Sequence, residues 1–316
     1  MSIVQASDSE YRAITEACGV LDRSERGKLA LTGADAASFL QGQVSNDVES
    51  LTAGTGCYAA FLTPKGKMLG DLRVLDTGDE LLLDTERSAL QDLFNMIRRF
   101  SIGYAVELHK RTLERGLVSL IGPASTDIVG AHELPETEHA HAPLEVTGIN
   151  VRAIRTDVGV DLLCDSADTE ALVGALTAAG ASPVSTEAAE CLRIEHGRPR
   201  YGVDLDESVI PQEAGLNDRA VSFTKGCYVG QETVARLFYR GKPNRHLRGL
   251  KLSAPAQSGD EIELEGRPVG RVTSTAVSPR LGPIALAFVR REAPPGTGVL
   301  VGTDGVSADV VELPFG

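Results

Sequence analysis

The stretch FTKGCYVGQETVAR, residues 223–236, sets a cysteine between two glycines and ahead of a Gln-Glu pair. Glycine reaches backbone angles that side chains forbid, so Gly226 and Gly230 predict a tight turn, entered from a strand and leaving into a helix. Such a turn would present Cys227 near free backbone N–H groups. Beside Lys225 and close to a helix N-terminus, the thiol would have a lowered pKa and be a better nucleophile or metal ligand. The other reading is a small side chain sealed in a tight turn, the usual state of a free cysteine.

Working outward, 316 residues and 33.4 kDa exceed one typical domain and predict two or three compact units. KLALTG (28–33) alternates like a strand, and Thr32-Gly33-Ala34-Asp35 resembles a capping box that launches a helix over 34–44. Residues 56–85 read as two or three strands parted by Pro64-Lys65-Gly66 and Thr77-Gly78-Asp79. A helix over 88–102 follows, and then a second α+β subdomain over about 111–185. Its strand at 116–122, a helix starting at Pro123, strands at 151–157 and 159–165 and a helix over 166–180 give a βαββα order that suggests a ferredoxin-like unit. From 246 to 316, short alternating strands parted by Gly and Pro predict a small β-barrel. The fold class is therefore α+β, with residues 1–245 holding the two α+β subdomains and 246–316 the barrel. The polar, proline-containing run 131–145 reads as a surface loop. His139 and His141 within it are either solvated or metal ligands; the solvated reading is preferred, and no metal site is expected.

The formal net charge of −13 and the pI near 5.0 disfavour nucleic acid and anionic membranes as partners. No apolar run approaches the ~20 residues of a spanning helix. The N-terminus has neither a secretory h-region nor an Arg-rich transit pattern, so a cytoplasmic protein is expected. The five cysteines form no CxxC pair, which argues against a cysteine-held metal or a disulfide framework. Dinucleotide, P-loop, zincin and nucleophile-elbow motifs are all missing.

Two further features carry chemistry. STEAAECLRIEHGRPRYG (185–202) predicts a helix from 186 to about 196, stopped by Gly197. Ala188, Cys191, Leu192 and Glu195 share its inward face. A carboxylate buried in the negatively polarised last turn needs compensation. Either it pairs with Arg193, Arg198 or Arg200, or it grips a flat heterocycle through two N–H bonds. Downstream, Arg236, Arg240, Lys242, Arg245 and Arg248 cluster, while no Asp or Glu occurs between Glu232 and Asp260. This is a solvated linker or a seat for carboxylates or phosphates.

Lys225-Gly226-Cys227-Tyr228-Val229-Gly230-Gln231-Glu232 resembles the K-G-C-[FY]-x-G-Q-E signature of the YgfZ family, folate-binding iron-sulfur assembly factors related to the glycine cleavage T protein. FLQGQVSNDV (39–48), PKGKMLGDLRV (64–74), IEHGRP (194–199), VIPQEAGL (209–216) and VELPF (311–315) follow in family order. The resemblance implies a three-subdomain cloverleaf of the glycine cleavage T protein type, with tetrahydrofolate in a central opening and Glu195 on its pterin ring. It implies Cys227 as a functional thiol, iron-sulfur client proteins as partners, and cofactor contacts from Lys225, Tyr228, Gln231, Arg236 and Arg240. The last two, with the rest of the basic cluster, would face the folate glutamate tail. The T protein carries paired Asp residues where this chain has Gly70-Asp71. Asp71 is thus a candidate catalytic acid or, alternatively, a surface acid beside Arg73. Whether the chain is an enzyme stays open; if it is, aminomethyl or other one-carbon transfer to folate is the implied reaction.

Overall fold

The computed structural model describes residues 3–316, and the chain divides into two compact units. One is Arg12–Val184 with Asn217–Gln231; the other is the chain up to Tyr11 with Ser185–Leu216 and Glu232–Gly316.

The first unit contains two sheets. In the antiparallel five-stranded sheet the order is Thr55–Leu62, Met68–Asp76, Leu81–Thr85, Gly27–Thr32 and Glu107–Lys110. The expected meander over 56–85 forms its first three strands, with turns in which Gly66 (φ +74°) and Gly78 (φ +91°) take left-handed angles. Helix Leu90–Phe100 buries Leu93 and Ile97 as its period predicts. The helix expected over 34–44 is shortened to Ala36–Gln41, and its capping box does not form. The Asp35 carboxylate instead accepts the Ala105 main-chain N–H at 2.7 Å, so a distant partner displaces the local cap.

The six-stranded sheet runs Ser182–Pro183, Gly19–Asp22, Arg115–Ile121, Gly159–Asp165, Ile149–Thr156 and His141–Val146. Without Gly19–Asp22 and His141–Val146, the remaining four strands and the helices Ser125–Val129 and Thr169–Ala178 have the chain order strand, helix, strand, strand, helix, strand. Their spatial order is fourth, first, third, second, which is the ferredoxin-like arrangement with one strand inserted and one added. Val118, Leu120, Val160, Leu162, Leu172 and Leu176 form its core. The run 131–145 departs from the surface-loop reading. His139 and His141 are both buried, and the end of the run is strand His141–Val146. His141 Nδ1 accepts from Arg152 at 3.0 Å while its Nε2 donates to the Thr55 carbonyl at 3.1 Å. Burial pulls His139 down to about 3, with the charges of Arg73 and Arg219 adding to it, so the ring is neutral.

In the second unit, strands Arg245–Leu252, Glu261–Leu264, Arg267–Ser278, Gly282–Arg290, Gly298–Val301 and Val306–Val311 close into a six-stranded barrel through the pairing of Arg267–Ser278 with Gly282–Arg290. Val4–Gln5 adds a short parallel strand to Arg267–Ser278. Strand Gly298–Val301 alternates exposed and buried, as a one-sided strand must, whereas Ile284–Val289 is buried at every position. Helix Thr186–Glu195 lies against strands Arg267–Ser278, Gly282–Arg290 and Val4–Gln5. The Ser185 hydroxyl caps the helix by accepting the Ala188 N–H at 3.3 Å. Gly197 ends it at φ +65°, where a Cβ would lie 2.7 Å from Leu313. Among the described residues no helix is long and apolar enough to cross a membrane.

Candidate functional site

Glu195 is 2% exposed, on the helix face with Ala188, Cys191, Leu192 and Ile194. A buried carboxylate costs several kcal/mol unless hydrogen bonds replace its water. Those bonds come from three places in the sequence. The Tyr11 hydroxyl lies 2.9 Å from both carboxylate oxygens. The Ser278 hydroxyl makes a short bond to Oε1. Arg280 brings Nη2 to 3.4 Å from Oε2. Ser278 also accepts the Arg280 and Leu281 main-chain N–H groups at 3.0 and 2.9 Å, which fixes the turn after its strand. Burial raises the Tyr11 phenol, and the bond to Glu195 raises it further, so it stays a donor. Burial likewise pushes Cys191, 3.9 Å from Oε1, up to about 12.

Arg280 is a cation on Glu195 that the sequence reading did not offer, while Arg193 and Arg200 serve other acids. Arg193 donates to Asp204 at 2.7 Å and to Glu190 at 3.0 Å, and Arg200 donates to Glu190 at 3.0 Å. Spacing placed Glu195 inward but gave no sign of Tyr11, which is 184 residues away.

The Cys227 segment belongs to the first unit. No strand enters it; the short helix Asn217–Ala220 precedes an irregular run, and helix Gln231–Arg240 follows. Lys225 is buried and its ammonium donates to the carbonyls of Gln41, Val44 and Asn46 at 2.5, 2.7 and 2.8 Å. Burial pulls it down to about 8, which still leaves it protonated at neutral pH. An ammonium has three protons, and all three are engaged by main chain. It also sits 5.1 Å from the centre of the Tyr228 ring, which is itself buried. Gly230, at φ +86°, passes so close to strand Thr55–Leu62 and its turn that a Cβ would lie 2.6 Å from the Thr63 carbonyl. Cys227 is exposed between these two anchors. Burial pushes the Cys57 thiol up to about 12, against the opposing pull of the Lys225 charge. Cys18, Cys164 and Cys191 are buried.

Asp71 is buried, contrary to its reading as a surface acid. Tyr58 donates to it at 2.6 Å. Burial pushes the carboxyl up to about 6, against the opposing pull of that bond. Arg73 points elsewhere, to Asp84 at 2.7 Å and Asp161 at 2.6 Å.

The basic cluster divides. Arg245 pairs with Glu213 at 3.1 Å and Arg248 with Glu312 at 2.6 Å, acids from far along the chain that a local charge count misses. Arg236, Arg240 and Lys242 are exposed. Gln231 is half-buried at the start of its helix.

Residues 2–225 match the GCVT N-terminal domain, and residues 245–315 match the glycine cleavage T-protein C-terminal barrel domain. The Arabidopsis thaliana protein "Putative transferase At1g60990, chloroplastic" is 31% identical over 328 residues, which span 99% of this chain and 75% of that protein. The crystal structure of glycine cleavage system aminomethyltransferase T from Bartonella henselae superposes with a TM-score of 0.86 at 24% identity. It spans 98% of this chain and 89% of that one, a likeness of fold.

Proposed function

The chain belongs to the glycine cleavage T-protein family, and from that footing we propose that it is a YgfZ-type accessory protein acting in the cytoplasm. It binds tetrahydrofolate and supports the assembly or repair of iron-sulfur clusters, with Cys227 as its working thiol. The observation that carries the reading is Glu195. An acceptor-only group is held in the protein interior by hydroxyls, and the one cation seen on it, Arg280, makes only a long contact to Oε2. The aminopyrimidinone edge of a pterin offers two parallel N–H bonds, the geometry a carboxylate takes best. Lys225 and Tyr228 hold the thiol-bearing turn in place. Gln231, Arg236 and Arg240 are left for the ligand, the two arginines for its glutamate tail. The cluster is cargo of the client proteins, and Cys227 is the thiol free to meet it.

Calorimetric titration with tetrahydrofolate tests this. Wild type should bind saturably, and Glu195→Gln, which turns one acceptor into a donor, should bind at least ~10-fold more weakly. No saturable binding by the folded wild type would end the folate reading. Cys227→Ser should keep folate affinity yet fail to restore iron-sulfur enzyme activity in a strain that lacks the protein. Full rescue by that variant would remove the thiol from the function.

The second reading, folate-dependent aminomethyl transfer, draws on Asp71, an acid held by Tyr58 with a pKa near the working range of a general acid. Formation of methylenetetrahydrofolate from an aminomethyl donor, lost in Asp71→Asn, would favour it.

A further inference from the structure

The three groups on the Glu195 carboxylate are not equivalent. Tyr11 and Ser278 are buried, and the Ser278 hydroxyl also carries two main-chain N–H bonds. Moving either would strand a polar group in the interior. The Arg280 side chain is 51% exposed and reaches Oε2 across 3.4 Å. It can leave into water without opening the core, and an exposed pair of this kind holds weakly. What its departure uncovers is one side of a fixed carboxylate oxygen, still held by Tyr11, that has been accepting from a flat, nitrogen-bearing cation.

We propose that Arg280 is a resident stand-in for the ligand. Its guanidinium holds the Oε2 side of Glu195 until a ligand with a planar guanidine-like edge takes the position and displaces it. This deepens the reading of Glu195 as the ligand's seat and rests on it. The arrangement selects for chemistry as well as for fit. A ligand with one N–H or O–H offers Glu195 no more than Arg280 already gives, whereas paired donors on one rigid edge offer more. It also keeps the buried carboxylate from standing unpaired when no ligand is present.

Two measurements on the full chain test this, with Arg280→Ala and, as a second variant that keeps the apolar stem, Arg280→Met. In the first, low-millimolar guanidinium chloride is added, with sodium chloride as the ionic control. The guanidinium ion should refill the vacated place and raise the melting temperature of both variants saturably. It should leave wild type unchanged and leave Glu195→Gln/Arg280→Ala unchanged. In the second, tetrahydrofolate should bind the Arg280 variants about two- to fivefold more tightly than wild type, since a weak exposed competitor is gone. Weaker folate binding by the variants makes Arg280 a ligand contact and overturns the proposal, as does a folded variant that ignores guanidinium. A guanidinium response with no folate binding by any form leaves the seat standing and removes folate as its occupant. Folate binding by wild type beside silent guanidinium does the reverse.

Discussion

Replacing Asp71 by Asn tests the buried acid through the pH dependence of stability. In the folded chain its carboxyl is raised from the ordinary 3.8 to about 6, chiefly by burial. A shift of about two units corresponds to roughly 3 kcal/mol at 1.36 kcal/mol per unit. Because the folded pKa lies above the unfolded one, the folded state holds the extra proton between them. The contribution of Asp71 to stability is therefore largest below its unfolded pKa, falls as pH rises toward about 6, and is level beyond. Asn keeps an oxygen to accept from the Tyr58 hydroxyl, now 2.6 Å from Oδ2, and cannot ionise. Urea unfolding of both proteins between roughly pH 4.5 and 8 should thus show a difference that grows with pH. Asp71→Asn should be more stable by up to ~3 kcal/mol on the neutral plateau, with only about a third of that difference at the acid end. Tyr58→Phe in the wild-type background removes the bond that opposes the shift and should move the transition to higher pH. A difference that is flat across the range, or an Asn variant less stable at pH 8, would refute the reasoning.

Three other outcomes follow from the same geometry. A thiol reagent should modify Cys227 in the native protein well before the half-buried Cys57 and the buried Cys18, Cys164 and Cys191, giving one fast equivalent that Cys227→Ser abolishes; a second fast equivalent that survives in Cys227→Ser would show that the cover over the other thiols does not shield them. Lys225→Met keeps the apolar stem but leaves the carbonyls of Gln41, Val44 and Asn46 without their shared donor. It should cost about 3 kcal/mol in denaturant unfolding and speed proteolysis within 223–230, and an unchanged cleavage rate would show that the ammonium does not hold the turn. Gly230→Ala forces a side chain into φ +86° and against the Thr63 carbonyl, so it should destabilise by ~2 kcal/mol or more. Gly226→Ala, in open space, should stay within ~0.5 kcal/mol, and melting temperatures of the pair check the contrast.

Much of the architecture was legible because it is written in short-range patterns. The meander over 56–85, the helix ending before Gly180 and the barrel strands each combine the right hydrophobic period with turn residues that the backbone angles require. Where the sequence misled, a long-range contact had won. Asp35 caps nothing because it serves Ala105. His139 and His141 sit in a polar run yet are buried, because that run supplies an edge strand to the six-stranded sheet. The strand expected before Cys227 is missing because Lys225 bonds three carbonyls of the 41–46 segment, which ties this stretch to a turn in place of a ladder.

The sites were legible only one partner at a time. Helical spacing turns Glu195 inward, and a carboxylate in that position demands donors, but spacing carries no information on which donors arrive. They come from Tyr11 in helix Asp8–Glu16 and from the end of strand Arg267–Ser278 and the turn after it. The basic cluster shows the same limit in reverse. A window without acids looks like an open cationic seat, but Glu213 and Glu312 close on Arg245 and Arg248 in the fold. The charge left for an anion therefore lies on and just beyond the exposed face of helix Gln231–Arg240, at Arg236, Arg240 and Lys242. Charge neighbours in sequence overcount a binding site whenever the chain can return an acid to it. What survives that return is the better guide to where a ligand's own charge can go.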